Sequence, residues 1–380
     1  MARTTITNVR VFDGEVLMPG LKAVVIQDSK IGSITDDLND DSENAFVVDG
    51  TGCTLLPGFI DTHVHINTPD DLRACAAYGV TTVCDMACMP FSKYNELRAI
   101  SKAGTAPTAW LGTSLPAYSA SSRHGKLFRF SGVGDENSLS TPDQVPAFIE
   151  ARKRDEVDYI KIIGDQPGLP QDVLDTVQVE ARKHGLRTVA HAAHYQAFEC
   201  GLQAEFDVLT HVPMDRAVDA AMAEKMASND TIAIPTLTMM EGFKKSWILW
   251  PLYYHRKFPV ALRSVVAMKK AGVIILTGTD ANPFWVVDVR AGAAMHRELE
   301  LLVDSGLTPS EALGAATALP AAYFNLHDRG RVEMGLKADL VLVEGDPTVN
   351  ISATRKIRQV WSAGVKVEPP VKNQSYCSVM

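Results

Sequence analysis

From residue 56 to residue 277 the chain repeats one pattern, a short apolar run followed by a longer amphipathic stretch. Strand-length runs fall at 56–65, 80–85, 109–114, 158–163, 188–191, 208–211, 233–237 and 273–277. Between them lie stretches such as 171–184, 214–228 and 259–270, whose apolar residues recur at helical spacing. Repeated strand-then-helix order implies parallel pairing, because each helix carries the chain back to the start of the next strand. Eight such units suit an α/β fold of the TIM (β/α)8 type. The structural alternative is a doubly wound open sheet, but no Gly-rich phosphate turn follows the first strand. Two more helical patterns, at 290–305 and 308–325, would close the barrel.

The ends of the chain read differently. Alternating apolar runs at 5–12, 23–26 and 45–48 are separated by the turn pairs Asp13-Gly14, Pro19-Gly20 and Asp49-Gly50. The same style returns at 338–343 and 357–365. Strand-rich ends around a different middle predict one small β-sandwich domain built from both termini. The expected division is 1–55 and 334–368 for the sandwich, 56–333 for the barrel and 369–380 for a C-terminal tail.

Composition narrows the function classes. The 380 residues are 46% hydrophobic and 22% charged, as in ordinary globular proteins. A net charge of −8 without a basic run argues against a nucleic-acid groove. Six scattered cysteines form no C-x-x-C pair and read as reduced thiols of a cytoplasmic protein. The polar, alternating start is not a signal peptide, and no apolar run is long enough for a membrane span. The last four residues, Cys377 to Met380, fit the C-a-a-X prenylation pattern, but a single lipid with little basic charge nearby anchors weakly, which favours a chance tail.

Several polar residues interrupt the strand runs near their ends. His63 and His65 lie two apart on the first strand, so both point to the same face. Lys161 sits inside an apolar strand, where desolvating an ammonium is costly. It could make a salt bridge, or it could have a lowered pKa and react with carbon dioxide to give an anionic carbamate with two oxygens. His191 and His211 end the fifth and sixth strands. Asp280 follows the eighth strand and could be a helix N-cap, yet strand eight lies beside strand one in a closed barrel. Four histidines, a lysine and an aspartate at the C-terminal ends of barrel strands read as a metal constellation.

These residues carry a resemblance. The run LPGFIDTHVH at 56–65, Lys161, His191, His211 and the run TGTD at 277–280 resemble the amidohydrolase superfamily. So does the return to the β domain through GRVEMGLKADL at 330–340. The similarity runs from about residue 8 to residue 364 and is nearest to the prolidase-like and imidazolonepropionase-like members. It implies a metal held by His63, His65 and Asp280, and a second held by His191 and His211. A carboxylated Lys161 would bridge two divalent ions, with zinc the default. It further implies a bridging hydroxide that attacks a substrate carbonyl, with Asp280 taking the proton.

The chain departs from that subgroup where Ala193, followed by His194, stands in place of a second histidine or tyrosine. The Gly-Gly-His-Gly stretch appears only as SRHG at 122–125, leaving His124 as a candidate substrate contact. An aromatic loop around Trp247, together with Trp285, reads either as a wall for an apolar substrate or as packing in a homo-oligomer. The expected activity is hydrolysis of an amide or related ester bond of a small molecule. A decarboxylating lyase on the same barrel and a non-catalytic scaffold are the competing readings.

Overall fold

The computed structural model describes residues 3–37, 45–87, 91–104, 107–113, 115–130, 137–245, 257–282 and 287–368. The strands, numbered in chain order, begin with β1 (Arg3–Val11), β2 (Lys22–Gln27), β3 (Lys30–Thr35), β4 (Ala45–Asp49) and β5 (Cys53–Pro57). The chain then enters the repeating region with β6 (Phe59–Val64), β7 (Val80–Asp85), β8 (Ala109–Gly112), β9 (Ile160–Ile163), β10 (Thr188–His191), β11 (Val208–Thr210) and β12 (Ile232–Ile234). It ends with β13 (Leu340–Glu344), β14 (Ile357–Ser362) and β15 (Val365–Val367).

Both ends of the chain enter one eight-stranded sheet, ordered β15-β14-β13-β5-β1-β2-β3, with β4 also on β1. Successive side chains of a strand face opposite ways, and here both faces are buried. Leu340 and Leu342 of β13 pack with Ile6, Val24, Leu55 and Trp361, while Val341 and Val343 belong to the larger core shared with the helices. The sheet is therefore fused to the rest of the molecule through every second residue. Each such buried Leu or Val is worth about 1.5–3 kcal/mol relative to an exposed one.

The repeating region forms two all-parallel sheets, β6-β7-β8 and β12-β11-β10-β9. Backbone bonds join them. Asp158 N donates to Gly112 O at 3.0 Å between the β8 and β9 ends, and Ala117 bridges Ile162. On the other side, segment 273–281 lies between β12 and β6. Leu276 N donates to Ala233 O (2.9 Å), Thr62 N to Thr277 O (3.0 Å) and His65 N to Ala281 O (2.8 Å). The arrangement is a TIM-barrel-like α/β fold with an attached sheet domain. Cys84, Tyr159, Val189, Val208, Ile232, Ile234 and Leu276 fill its interior as one cluster.

Two strand expectations need correction. The run 56–65 is two strands, because Pro57 has no N–H to continue a ladder and Gly58 N donates across to Asp339 O at 2.7 Å. The run 273–277 makes only a single bridge, Ala233 to Ile275, since Thr277 N turns aside to Ala315 O. Helix 214–228 starts instead at Ala220, where Asp219 accepts from Met222 N at 3.0 Å as an N-cap. The pattern 308–325 divides into helices Pro309–Ala315 and Ala318–Tyr323.

Candidate metal centre

The strand ends deliver the expected side chains to one place. His63 is on β6 with His65 just past it, Lys161 is on β9, His191 ends β10 and His211 follows β11. Asp280 arrives on the segment beside β6, its N–H donating to His63 O at 2.7 Å. Buried Asp61 fastens that junction by accepting from Thr279 N (3.0 Å), Thr279 Oγ1 (2.7 Å) and His63 N (3.2 Å). Burial raises the Asp61 carboxyl to about 7. Gly278 has to be glycine, since a Cβ there would lie 2.8 Å from His63 Cβ and 2.4 Å from Ile234 Cγ2.

Asp280 Oδ1 stands 3.5 Å from His63 Nε2 and 3.3 Å from His65 Nε2, and its Oδ2 is 3.8 Å from His211 Nδ1. A tetrahedral ion with ligands at about 2.0–2.1 Å sets its donor atoms about 3.3 Å apart. The other ring nitrogens of His63 and His65 are tied to the protein, and so is the His211 nitrogen that faces Asp280. His63 Nδ1 meets the Thr210 hydroxyl and His65 Nδ1 lies 3.2 Å from Ala87 O. His211 Nδ1 lies 2.8 Å from Thr236 Oγ1. Oriented imidazoles of this kind are the mark of metal-ligating histidines.

Electrostatics agree with that fit. Burial, then the charge of Lys161, holds His63 well below its ordinary value; burial and then His191 do the same for His211. Burial also pulls His65 down, but its hydrogen bond to Asp280 and the charges of Asp280 and Asp85 outweigh this and leave it raised. Lys161 is buried and its Nζ has no hydrogen-bond partner among the described residues. Burial lowers its pKa to about 7, partly opposed by Asp280 and Asp85. An amine buried without a partner in this way is costly unless something else satisfies it.

Backbone strain collects at the same strand ends. His211 (φ 73°), Thr236 (φ 50°) and Asp280 (φ 56°) all adopt left-handed backbone. For residues other than glycine this costs about 1–3 kcal/mol each, and such strain clusters at functional sites.

One residue was missed in the sequence. Asp165, on the loop after β9, joins His124 and His191 in a second group whose ligating atoms lie within 4.8 Å of one another. Its Oδ2 is 3.1 Å from His191 Nε2, and its Oδ1 is 3.1 Å from His194 Nδ1 and accepts from Ala193 N at 2.8 Å. Burial would raise the Asp165 carboxyl, but His191 and His194 override it and hold it well below the usual range. The only signal in the sequence was an acid four residues beyond Lys161. His124, expected as a substrate contact, has its ring 4.6 Å from that of His191, and burial followed by the His191 charge lowers it to about 3. Trp247, Trp285 and Cys377 lie outside the described residues.

The profile of the amidohydrolase family matches residues 54–367, and the chain belongs to that family. It is 29% identical over 194 residues to an imidazolonepropionase of Deinococcus deserti, a match covering 49% of this chain and 43% of that protein. It is 26% identical over 363 residues to a dihydroorotase of Elusimicrobium minutum, covering 87% of this chain and 79% of that one. Among solved structures it is similar to a Xaa-Pro dipeptidase with bound methionine in the active site. The TM-score is 0.84 at 22% identity, over 97% of this chain and all of that one.

Proposed function

We propose that this chain is a metal-dependent hydrolase that cleaves an amide C–N bond, or a related ester bond, of a small and partly apolar substrate. One divalent ion would rest on His63, His65 and Asp280, and a second on His191 and His211, with a carboxylated Lys161 between them. Imidazole and carboxylate donors suit zinc. The observation carrying this reading is the convergence of oriented imidazoles and one carboxylate around a buried, unpartnered amine. An amine lowered to about 7 is partly neutral at neutral pH, the form that can add carbon dioxide.

When bound, the ions supply Lewis acidity towards the scissile carbonyl and acidify water. The chain's own groups do the rest. Asp280 accepts a proton and returns it to the leaving nitrogen. His124, its ring 4.6 Å from that of His191, would meet the substrate, and we assign Trp247 and Trp285 the role of apolar substrate contacts. We further assign a closed (β/α)8 barrel at 56–333, a β-sandwich from 1–55 and 334–368, and a tail at 369–380. Cytoplasmic residence is supported by Cys53, Cys75 and Cys84, which are buried and unpaired. No helix among the described residues is long and apolar enough to cross a membrane. The decarboxylase alternative is set aside, because hydrolases are what the chain is similar to.

The test is metal analysis of the purified protein with activity on a panel of dipeptides and N-acyl amino acids. We expect about two ions per chain, loss of activity with a chelator and recovery on adding zinc. A protein that purifies without stoichiometric metal and ignores chelators would be a scaffold.

A further inference from the structure

We propose that Asp165 is a positioning residue for the second ion: it holds His191 by Nε2 so that Nδ1 is the nitrogen offered to the metal. This rests on the dinuclear reading above and deepens it. Each of the four histidines has one ring nitrogen engaged by the protein, but the partners differ in kind. His63 and His211 meet the hydroxyls of Thr210 and Thr236, which can donate or accept. His65 meets the carbonyl of Ala87. Asp280 lies 3.3–3.8 Å from the other three, whereas His191 meets a separate carboxylate, with Asp165 Oδ2 3.1 Å from its Nε2.

An ionised carboxylate only accepts, so it fixes the proton on His191 Nε2 and leaves the lone pair on Nδ1. It also makes the imidazole a more basic ligand, as carboxylate–histidine–metal arrangements do. Asp165 is itself held. Its Oδ1 takes the N–H of Ala193, two residues beyond His191, at 2.8 Å and faces His194 Nδ1 at 3.1 Å. Oδ1 is therefore engaged twice while Oδ2 is presented to His191 alone. The same backbone turn that places His191 at the end of β10 thus locks the group that orients it.

The experiment titrates the metal-free protein with zinc against a competing chelator and counts ions per chain by mass spectrometry of the metal. Wild type, Asp165→Ala, Asp165→Asn and His194→Ala are compared. Wild type should bind two ions. Asp165→Ala should keep the first with unchanged affinity and bind the second about 10–100-fold more weakly, the usual cost of losing such a partner. Retention of the first ion shows that the variant is folded. Asp165→Asn, whose single oxygen can accept from Nε2–H or from the Ala193 N–H but not from both, should recover part of the loss. His194→Ala, which leaves the Ala193 N–H on Oδ1, should weaken the second ion less than Asp165→Ala does. Two ions of unchanged affinity in Asp165→Ala would overturn the inference. So would an Asn variant as weak as the Ala variant, which would make the carboxylate a ligand in its own right. Fewer than two ions in wild type would instead overturn the dinuclear reading, and this inference with it.

Discussion

Glu298 accepts both the backbone N–H and the hydroxyl of Thr238, at 2.6 and 2.7 Å, and takes the N–H of Leu237 at 2.9 Å. These donors open helix Leu237–Lys245, so a buried carboxylate from another helix closes its N-terminus. Next to them, Thr236 meets His211. Burial raises the Glu298 carboxyl from 4.5 to about 7, although the three donors oppose the shift. A raised carboxyl contributes stability that is present below its unfolded value and is lost as pH rises through its folded value. Unfolding free energies of wild type and Glu298→Gln should therefore move relative to each other, in favour of the variant, between about pH 4.5 and 7. A difference that stays constant across that range would mean that Glu298 is ionised throughout.

Lys161→Ala removes the one lysine that the described residues bring to the centre. Metal content should fall from about two ions to one or none, and activity should be lost with it. Short carboxylates such as formate or propionate should restore part of both by occupying the vacated space. Wild-type metal content and rate in this variant would remove Lys161 from the site.

The aromatic residues test a different link. Helix Leu237–Lys245 leads directly into the segment carrying Trp247, and Trp285 follows Asp280 by five positions. If both form a substrate wall, Trp247→Ala and Trp285→Ala should raise KM more than they lower kcat, because apolar contact binds ground and transition states alike. Steady-state kinetics with sizing chromatography separates the readings. Unchanged kinetics with a smaller particle would assign the loop to a subunit contact.

The candidate ligands were legible because His191 and His211 follow apolar runs directly, Lys161 interrupts one, and strand periodicity fixes which face His63 and His65 share. Residues contributed by turns were not. Asp165 is polar in a loop of polar and turn-forming residues, and only the return of β10 beside β9 brings it to His191. Thr210 and Thr236 were hidden because their partners are distant in sequence: Thr210 meets His63 of β6, in the other parallel sheet, and Thr236 meets His211 at the end of β11. The break at Pro57 was readable in principle, but apolar residues on both sides masked it. The irregular eighth segment was not readable, because the carbonyl of Ala315 that diverts Thr277 comes from a helix far along the chain.

Asp280 carries the most specific prediction. Its two oxygens reach His63, His65 and His211 at 3.3–3.8 Å, so any group that moves a proton across this space passes it. Its left-handed backbone, φ 56°, limits the useful substitutions. Ala would be strained there, and its failure could reflect the backbone alone. Asn tolerates this conformation and is nearly isosteric with Asp. The N–H that Asp280 donates to His63 O and the carbonyl that accepts from Asn282 Nδ2 are backbone groups, which the change leaves in place. Asn also keeps an oxygen for the metal but has no negative charge with which to take up a proton. Asp280→Asn should therefore keep its fold and much of its metal while kcat falls by at least about 10²-fold, the usual scale for a general base. KM should change less, because substrate contact rests on other groups. The measurement is kcat beside metal content and melting temperature for both proteins. A fully metallated, normally melting Asp280→Asn with near wild-type kcat would leave Asp280 as a ligand and give the proton transfer to another group.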